Sequence, residues 1–274
     1  HVSFVDPNHP WNTPAELAEH YPADQMPLPK YSDPGESVVW PPSLKERMDE
    51  CMPRYSPYDD TMARTIIAYN YAMVEMIDHA VGKVLQAVEK AGELENTVFV
   101  FVADHGEMLG DYGLCRKGTW HYDCMIQTPA LIAAPGNLRS ETRCSELAET
   151  VDLGPTVLAA AGLDIPARMQ GRNLVPWLQG KAQDITKDRI YCEMYQTLWG
   201  PWTACQTIRT PDAKLHYFPI DRVGHRFNLK EHPDEWNNIW HSTAHRGLRD
   251  RMVETLLEEL HRQIDTSPRV LSQY

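Results

Sequence analysis

The chain has 274 residues, of which 42% are hydrophobic and eight are tryptophan, so it is long enough for a sizeable core and too apolar for a disordered protein. Its 26 basic and 38 acidic side chains leave a net charge of −12, which argues against nucleic acid or an anionic membrane as partner, because both select for basic surfaces. The sequence contains no apolar run of about eighteen residues, so we expect no transmembrane helix.

The first 60 residues are rich in proline, which fixes φ and removes a backbone donor. After a short strand at 2–5, we therefore predict a long irregular segment. An irregular segment of this length inside a compact domain is uncommon unless it is functional. It either shapes an entrance for a substrate or covers the surface.

Apolar residues recur at helical spacing from Thr61 to Ala91, which predicts one long helix, and Gly92 lies where such a helix would end. The next apolar run, starting at Val98, is β-branched or aromatic and predicts a buried strand of a parallel sheet. A helix followed by a buried strand is the repeating unit of an α/β fold.

The pattern continues with a strand at 130–134 and a helix at 151–161, which Gly162 would end. Residues 1–180 are therefore predicted to have α/β structure.

The composition changes after Gly180, where short apolar runs are separated by proline and glycine. The predicted strands are 189–196, 203–209 and 215–218. A closing amphipathic helix is predicted from 242 or 246 to 264. Its expected apolar stripe consists of Leu248, Met252, Leu256, Leu257, Leu260 and Ile264. Residues 181–274 are thus predicted to form a small antiparallel sheet with one helix.

An aspartate and a histidine follow the predicted strand, in Asp104-His105-Gly106. Open α/β sheets bind ligands at the carboxyl ends of their strands, and a carboxylate beside an imidazole can coordinate a divalent metal. Aspartate and glycine after a strand are also typical of an ordinary turn. Twelve residues after His105 comes Lys117, whose ammonium offers three donors to an anion.

Together these segments resemble the type I sulfatases of the alkaline-phosphatase-like superfamily, which also contains phosphonate monoester hydrolases and choline sulfatases. The matching segments are, in chain order, Ser3-Phe-Val-Asp-Pro-Asn-His-Pro-Trp11, Asp104-His-Gly-Glu-Met-Leu-Gly-Asp-Tyr-Gly-Leu114, Lys117-Gly-Thr119, Val151-Asp-Leu-Gly-Pro-Thr156, Gln170-Gly-Arg172 and Phe227-Asn-Leu229. They cover nearly the whole chain in the family's order. The resemblance implies a metal-dependent hydrolase of sulfuric acid esters. It also implies that residues 1–180 are the C-terminal portion of its catalytic domain, part of an alkaline-phosphatase-like mixed, mostly parallel sheet sandwiched by helices.

The resemblance also implies roles for five residues. Asp104 and His105 would be metal ligands, for calcium in the first place or manganese in the second, completed by aspartates from a preceding segment. Lys117 would bind the anionic oxygens of the substrate and take part in catalysis. Where the family has a substrate-binding or proton-donating histidine, this chain has Asn8, followed by His9. Asparagine cannot act as a general acid, so His9 is the catalytic candidate and both residues are substrate-binding candidates.

Such enzymes also carry a Cys-or-Ser-x-Pro-x-Arg motif, whose first residue becomes a formylglycine nucleophile. Cys51-Met-Pro53-Arg54 comes nearest, but its proline and arginine are adjacent. We therefore interpret the chain as the C-terminal portion of a longer enzyme, inactive by itself, with the missing N-terminal part as its partner. A second copy of the chain, in a homo-oligomer, is a further possible partner.

Two alternatives stay open. One is a phosphonate monoester hydrolase or phosphodiesterase of the same superfamily. The other is a catalytically inactive relative that binds an anion or a protein partner. Variable loops set specificity in such folds, so the sequence indicates a small anionic ester, sulfate or phosphonate, without naming it. The six cysteines form no Cys-x-x-Cys pair and are expected to be free, which favours a cytoplasmic over a periplasmic or secreted location.

Overall fold

The computed structural model describes residues 1–30, 41–51, 59–134, 138, 142–182, 187–196 and 202–263. The chain divides into two compact units. The first, which we call the helical unit, comprises His1–Thr97, His105–Thr128 and Thr197–Pro201. The second, which we call the sheet unit, comprises Val98–Asp104, Pro129–Gln196 and Trp202–Tyr274. The proposed division of the sequence near residue 180 stays a prediction.

The helical unit is built around the long helix α3, Asp60–Lys90, which confirms the prediction for this region. The helix begins where the Asp59 carboxylate accepts a 2.8 Å hydrogen bond from the Met62 amide, as an N-cap does. It ends before Gly92, whose φ of 73° is the left-handed conformation that glycine adopts most readily. The buried side of α3 carries Ala63, Ile66, Ile67, Ala68, Ala72 and Met73. A short helix α1, Ala15–Ala18, and a 3-10 turn, Ala23–Gln25, pack against it.

Two predictions for the first 60 residues are wrong. The segment at 2–5 is not a strand, and Val5 is 82% exposed, because an apolar run alone does not supply a pairing partner. The proline-rich region also contains helix α2, Pro42–Cys51. Proline at the first helical position is compatible with a helix, because the N–H at that position makes no hydrogen bond within the helix. Residues 31–40 and 52–58 of the predicted irregular segment lie outside the described residues.

The sheet unit contains β1, Phe99–Val102, and β2, Ala130–Ala133, which confirms two strands but not their direction or burial. They pair antiparallel, with Val102 opposite Ala130, and Leu131 is 62% exposed. The predicted buried parallel strand is therefore wrong for this pair, because an apolar run carries no information about the direction of its neighbour. The mixed α/β class is confirmed, although every strand pair in the described part of the chain is antiparallel.

A four-stranded antiparallel sheet follows, in the order β3-β4-β5-β6, with helix α7, Arg246–Arg262, against β4 and β5. The strands are Ile190–Gln196, Thr203–Arg209, Ala213–Phe218 and Val223–Asn228. The small antiparallel sheet with one helix is thereby confirmed, and β6 is an additional strand. The core between sheet and helix consists of Ile208, Leu215, Met252 and Leu256.

The predicted apolar stripe of α7 is only partly correct. Met252 and Leu256 are buried, whereas Leu248 and Leu257 are 41% and 61% exposed. The buried stripe is narrow, because a helix that packs on one sheet buries residues four apart and leaves adjacent apolar positions outside. Ile264 lies outside the described residues.

Asp152 anchors the middle of the sheet unit. This fully buried carboxylate accepts hydrogen bonds from the amides of Glu149 and Arg172, at 2.9 and 2.7 Å, and from the Lys187 ammonium at 2.7 Å. The 3-10 turn Thr150–Asp152 leads into helix α5, Leu153–Ala160, as predicted, and a short helix α6, Val175–Leu178, follows.

Gly171 explains why the Gln-Gly-Arg turn requires a glycine. A Cβ at this position would collide with the carbonyl of Val151. The turn can therefore approach the Val151–Asp152 backbone closely enough for the Arg172 amide to reach Asp152.

The described helices include none that is long and apolar enough to cross a membrane. The cysteines whose side chains are described are free, as predicted: Cys115, Cys124, Cys144, Cys192 and Cys205.

Candidate active site

The loop between His105 and Lys117 folds back on itself. The Met108 amide donates to the Arg116 carbonyl at 3.3 Å, and the Gly110 amide donates to the Leu114 carbonyl at 2.8 Å. These bonds bring the end of the loop at Arg116 back to its start beside Glu107, although the two ends are far apart in sequence.

This loop holds strained backbone. Leu109, Tyr112 and Arg116 have φ values of 48°, 58° and 74°, a region that non-glycine residues enter at a cost of about 1–2 kcal/mol each. Packing offsets the cost, because the Tyr112 ring stacks on Tyr122 at 3.9 Å between centroids. Such strain is typical of positions that a ligand site requires.

Two glycines permit close approaches around the loop. A Cβ at Gly106 would collide with the Cys124 carbonyl, and the Gly106 amide donates to Met125 at 2.7 Å. A Cβ at Gly118 would lie 2.6 Å from the buried Trp120 ring. The glycines of Asp-His-Gly and Lys-Gly-Thr are therefore needed for packing.

The structure brings Asn8 and Lys117 into direct contact. The Lys117 ammonium donates to the Asn8 side-chain carbonyl, with 2.5 Å between Nζ and Oδ1. The Asn8 amide donates to Val5 at 3.2 Å, which forms a turn that presents the asparagine side chain. Two of the residues predicted from the sequence thus lie together: the Lys117 ammonium carries the positive charge, and the Asn8 side chain holds it in place.

His9 lies in the same cationic surroundings. Its pKa is lowered from 6.5 mainly by burial, then by the charges of Arg116 and Lys117. A neutral imidazole is therefore the favoured form near pH 7. Its Nδ1 is buried without a hydrogen-bond partner among the described residues.

Two further residues of this site, Glu107 and Arg116, were not predicted from the sequence. Burial raises the pKa of the Glu107 carboxyl, while the charges of Lys117, His105 and Arg116 and the Met108 amide partly oppose that rise. The only available signal was that Glu107 follows Asp-His-Gly and Arg116 precedes Lys117. Adjacency in sequence does not show which way a side chain points.

Asp104 and His105 are both exposed. His105 Nδ1 lies 2.8 Å from the Gly106 carbonyl, which can only accept, so Nδ1 carries the proton. In a neutral ring, this tautomer leaves a lone pair on Nε2 that can coordinate a metal. Carboxylate and imidazole are suitable donors for a divalent cation, yet no group of three acidic, histidine or cysteine side chains gathers in the described part of the chain.

His121, close to Lys117 in sequence, is 6% exposed. Among the described thiols, Cys115 is unsuited to be a nucleophile, because burial above all raises its pKa to about 12. The side chain of Cys51 and the residues after it lie outside the described residues.

Two family models match the chain. One, described as Sulfatase, matches residues 1–163. The other, described as N-sulphoglucosamine sulphohydrolase, C-terminal, matches residues 110–263.

Similar curated proteins include an arylsulfatase of Clostridium perfringens, 28% identical over 265 residues, which covers 94% of this chain and 52% of that protein. An N-acetylglucosamine-6-O-sulfatase of Bacteroides thetaiotaomicron is 29% identical over 216 residues, covering 74% of this chain and 38% of that protein. The chain thus spans about half the length of these relatives, or less.

Among solved structures, a phosphonate monoester hydrolase of Silicibacter pomeroyi is similar with a TM-score of 0.85 and 26% identity, covering 97% of this chain and 56% of that one. A phosphonate monoester hydrolase of Agrobacterium radiobacter gives a TM-score of 0.82 at 20% identity, with 97% and 57% covered, which shows the fold alone.

Proposed function

Because this chain belongs to the sulfatase family, we propose that it forms part of a metal-dependent hydrolase of sulfuric acid esters. The observation that carries the proposal is the contact between Lys117 and Asn8, with Arg116 and His9 close by. A chain with a net charge of −12 concentrates positive charge at this place, which is what a tetrahedral anion requires.

Lys117 binds the anionic oxygens, and its ammonium opposes the charge that develops on them during hydrolysis. Asn8 holds that ammonium in position through its side-chain carbonyl. His9 replaces the family's histidine as the group that assists the leaving oxygen. Its lowered pKa makes the imidazolium a stronger acid, present in a smaller fraction at neutral pH.

Asp104 and His105 would hold the divalent metal, calcium ahead of manganese. When bound, such an ion polarises the ester oxygens as a Lewis acid. The exposed carboxylate and the tautomer of His105 support this assignment. Because two protein ligands make a weak site, titration calorimetry of this chain with calcium chloride should give weak binding that His105→Ala abolishes and His79→Ala, at an exposed helix position, retains.

We further propose a formylglycine as the nucleophile, on the strength of family membership. The coding sequence upstream of His1 tests this part. An in-frame Cys-or-Ser-x-Pro-x-Arg motif would support it, and a threonine in place of that cysteine or serine would favour the phosphodiesterase alternative.

The decisive test is hydrolysis of 4-nitrophenyl sulfate by the full-length protein. Lys117→Ala should lower kcat by about 10²–10³, as the loss of one preorganised donor does elsewhere. Lys90→Ala, an exposed lysine in the last turn of α3, should leave the rate unchanged. Equal rates for the two variants would contradict the assignment of Lys117.

A phosphonate monoester hydrolase is the second candidate. The similarity to the Silicibacter pomeroyi enzyme along 97% of this chain favours it. A larger kcat/KM for phenyl phosphonate monoesters than for phenyl sulfate would establish this alternative. Sulfate binding that depends on Lys117 without any hydrolysis would instead indicate an inactive anion-binding relative.

A further inference from the structure

Lys30 is hydrogen-bonded to the middle of the loop between His105 and Lys117. The Lys30 amide donates to the Asp111 carboxylate at 2.7 Å, and the Tyr112 amide donates to the Lys30 carbonyl at 3.1 Å. The backbone of Lys30 is thus bonded through both its N–H and its C=O to two neighbouring loop residues, the first of them 81 positions later in the sequence. We call this pair of hydrogen bonds the clip.

Two further contacts hold the clip in place. Pro29 is buried, and a Cβ added at Gly110 would lie 2.6 Å from its ring. Earlier in the chain, the 3-10 turn Ala23–Gln25 packs against α3, where the Arg64 side chain donates to the Asp24 carbonyl at 3.4 Å. The segment that leads to the clip is therefore tied to α3, and the clip connects the loop to that helix.

The loop needs such a restraint, because its own backbone is strained. Positive φ values at Leu109, Tyr112 and Arg116 lie on both sides of Asp111. Conformations of this kind persist only where the surrounding structure determines them. Within the loop, the Asp111 amide donates to the Met108 carbonyl at 2.8 Å, and the Met108 amide donates to the Arg116 carbonyl at 3.3 Å. These two bonds lead from Asp111 to the end of the loop at the proposed anion site.

Asp111 is unsuited to a direct role at that site. Its carboxylate would repel the anion that Lys117 binds, and its Oδ1 already accepts from the Lys30 amide. Its influence on the reaction would instead pass through the loop backbone, whose conformation decides where the Lys117 ammonium lies. A displacement of about 1 Å at a reacting group can lower a rate by about 10²-fold.

We propose that Asp111 is a positioning residue for Lys117. By accepting from the Lys30 amide, its carboxylate holds the strained loop in the conformation that places the Lys117 ammonium. The inference rests on the proposed function, since it takes Lys117 as the group that binds the anionic oxygens. It also gives the proline-rich segment a role besides the two expected from its sequence, because Pro29 and Lys30 support the loop.

Two neutral substitutions separate the bond from the charge. Asp111→Ala and Asp111→Asn both remove the carboxylate charge, but asparagine keeps an oxygen that can accept from Lys30. In the full-length protein, Asp111→Ala should lower kcat/KM for 4-nitrophenyl sulfate about tenfold or more, and Asp111→Asn should recover most of that loss. Asn173→Ala removes a bond of the same kind in the sheet unit, 2.9 Å from the Val175 amide, and should leave kcat/KM unchanged.

A double-mutant cycle shows whether Asp111 acts through Lys117. In the Lys117→Ala background, Asp111→Ala should have little further effect, because two changes that remove the same contribution are not additive. A merely structural role would lower the remaining rate by the same factor in both backgrounds. If Asp111→Ala does not fold, Lys30→Pro removes the donor of the same bond at an exposed position, with Lys30→Ala, which keeps the amide, as its reference.

Hydrogen exchange of this chain tests the clip without catalysis. Amides of the loop, that of Tyr112 included, should exchange faster in Asp111→Ala than in the wild type or in Asp111→Asn.

Equal kcat/KM for Asp111→Ala and Asp111→Asn, or an additive effect of Asp111→Ala and Lys117→Ala, would overturn the inference while the proposed function stands. If the full-length protein hydrolyses no sulfate ester, the proposed function fails and the exchange rates decide the clip. Faster exchange in Asp111→Ala alone then supports the clip, and equal exchange in all three proteins contradicts it.

Discussion

Lys117 Nζ lies 2.5 Å from Asn8 Oδ1, although the two residues are 109 positions apart in sequence. The bond occupies one of the three ammonium donors and fixes the direction of the rest. It also gives Asn8 the role of hydrogen-bond acceptor for Lys117. The amide oxygen of asparagine always accepts, whereas a histidine at this position would lose its acceptor nitrogen when protonated.

Asn8→Asp should weaken substrate binding through that bond. A carboxylate next to Lys117 neutralises the ammonium, so we expect KM for a sulfate ester to rise about tenfold, with Asn8→Ala giving a smaller rise. Asn12→Asp adds the same charge at an exposed position four residues away and should change KM little. Similar KM values for the two aspartate variants would show that the Asn8–Lys117 bond does not support binding.

His9 should make stability depend on pH. Its folded-state pKa lies below 6.5, first because of burial and then because of Arg116 and Lys117. The unfolded chain therefore binds this proton more readily, and the stabilisation present above pH 6.5 is lost as pH falls through the lower, folded-state pKa. Tm of the wild type should fall more steeply than that of His9→Gln over this interval. Parallel curves would contradict the burial of His9.

Titration of His9 should also change the rate of ester hydrolysis with pH. If His9 assists the leaving oxygen as an acid, kcat/KM declines as pH rises through its lowered pKa, and His9→Gln removes that decline. His20→Gln, at an exposed histidine, is the matched control. A profile that keeps the same decline in His9→Gln would assign the acid to another residue.

Gly106 and Gly82 form a matched pair for stability. Gly106→Ala places a methyl group against the Cys124 carbonyl, so we expect a loss of about 2 kcal/mol or more in the free energy of unfolding. Gly82 lies inside α3 with nothing near its missing Cβ, so Gly82→Ala should stabilise by up to about 1 kcal/mol. Urea denaturation measures both, and a neutral Gly106→Ala would refute the close approach.

Two ion pairs of the sheet unit should differ sharply. The Lys187–Asp152 pair is 2.7 Å long and nearly inaccessible to solvent, and Asp152 also accepts from the Glu149 and Arg172 amides. Glu149 would still pair with Lys187 in Asp152→Ala, but the two amides would lose their buried acceptor, so the change should cost about 2–5 kcal/mol. The Lys230–Asp212 pair has a similar length, 2.8 Å, but both side chains are exposed. Asp212→Ala should therefore cost less than about 1 kcal/mol, and equal losses would show that burial is not what matters.

The local sequence pattern was sufficient to predict elements whose own residues carry the signals for their type and their ends. Helix α3 was predictable to within one residue at each end, because its apolar period and Gly92 are local signals. The antiparallel sheet of residues 190–228 was largely predictable, since its strands are short and separated by turn residues. The direction and exposure of β1 were not, because both depend on what lies beside the strand.

Within the candidate site, sequence by itself determined the residue types and their order: Asn8, His9, Asp104, His105 and Lys117. Tertiary structure alone decided that Lys117 meets Asn8 and that Arg116 joins His9 along a pocket wall. Motif spacing records distance along the chain. Contacts across 109 residues arise from strained loop backbone, close glycine approaches and packing, which no local pattern encodes.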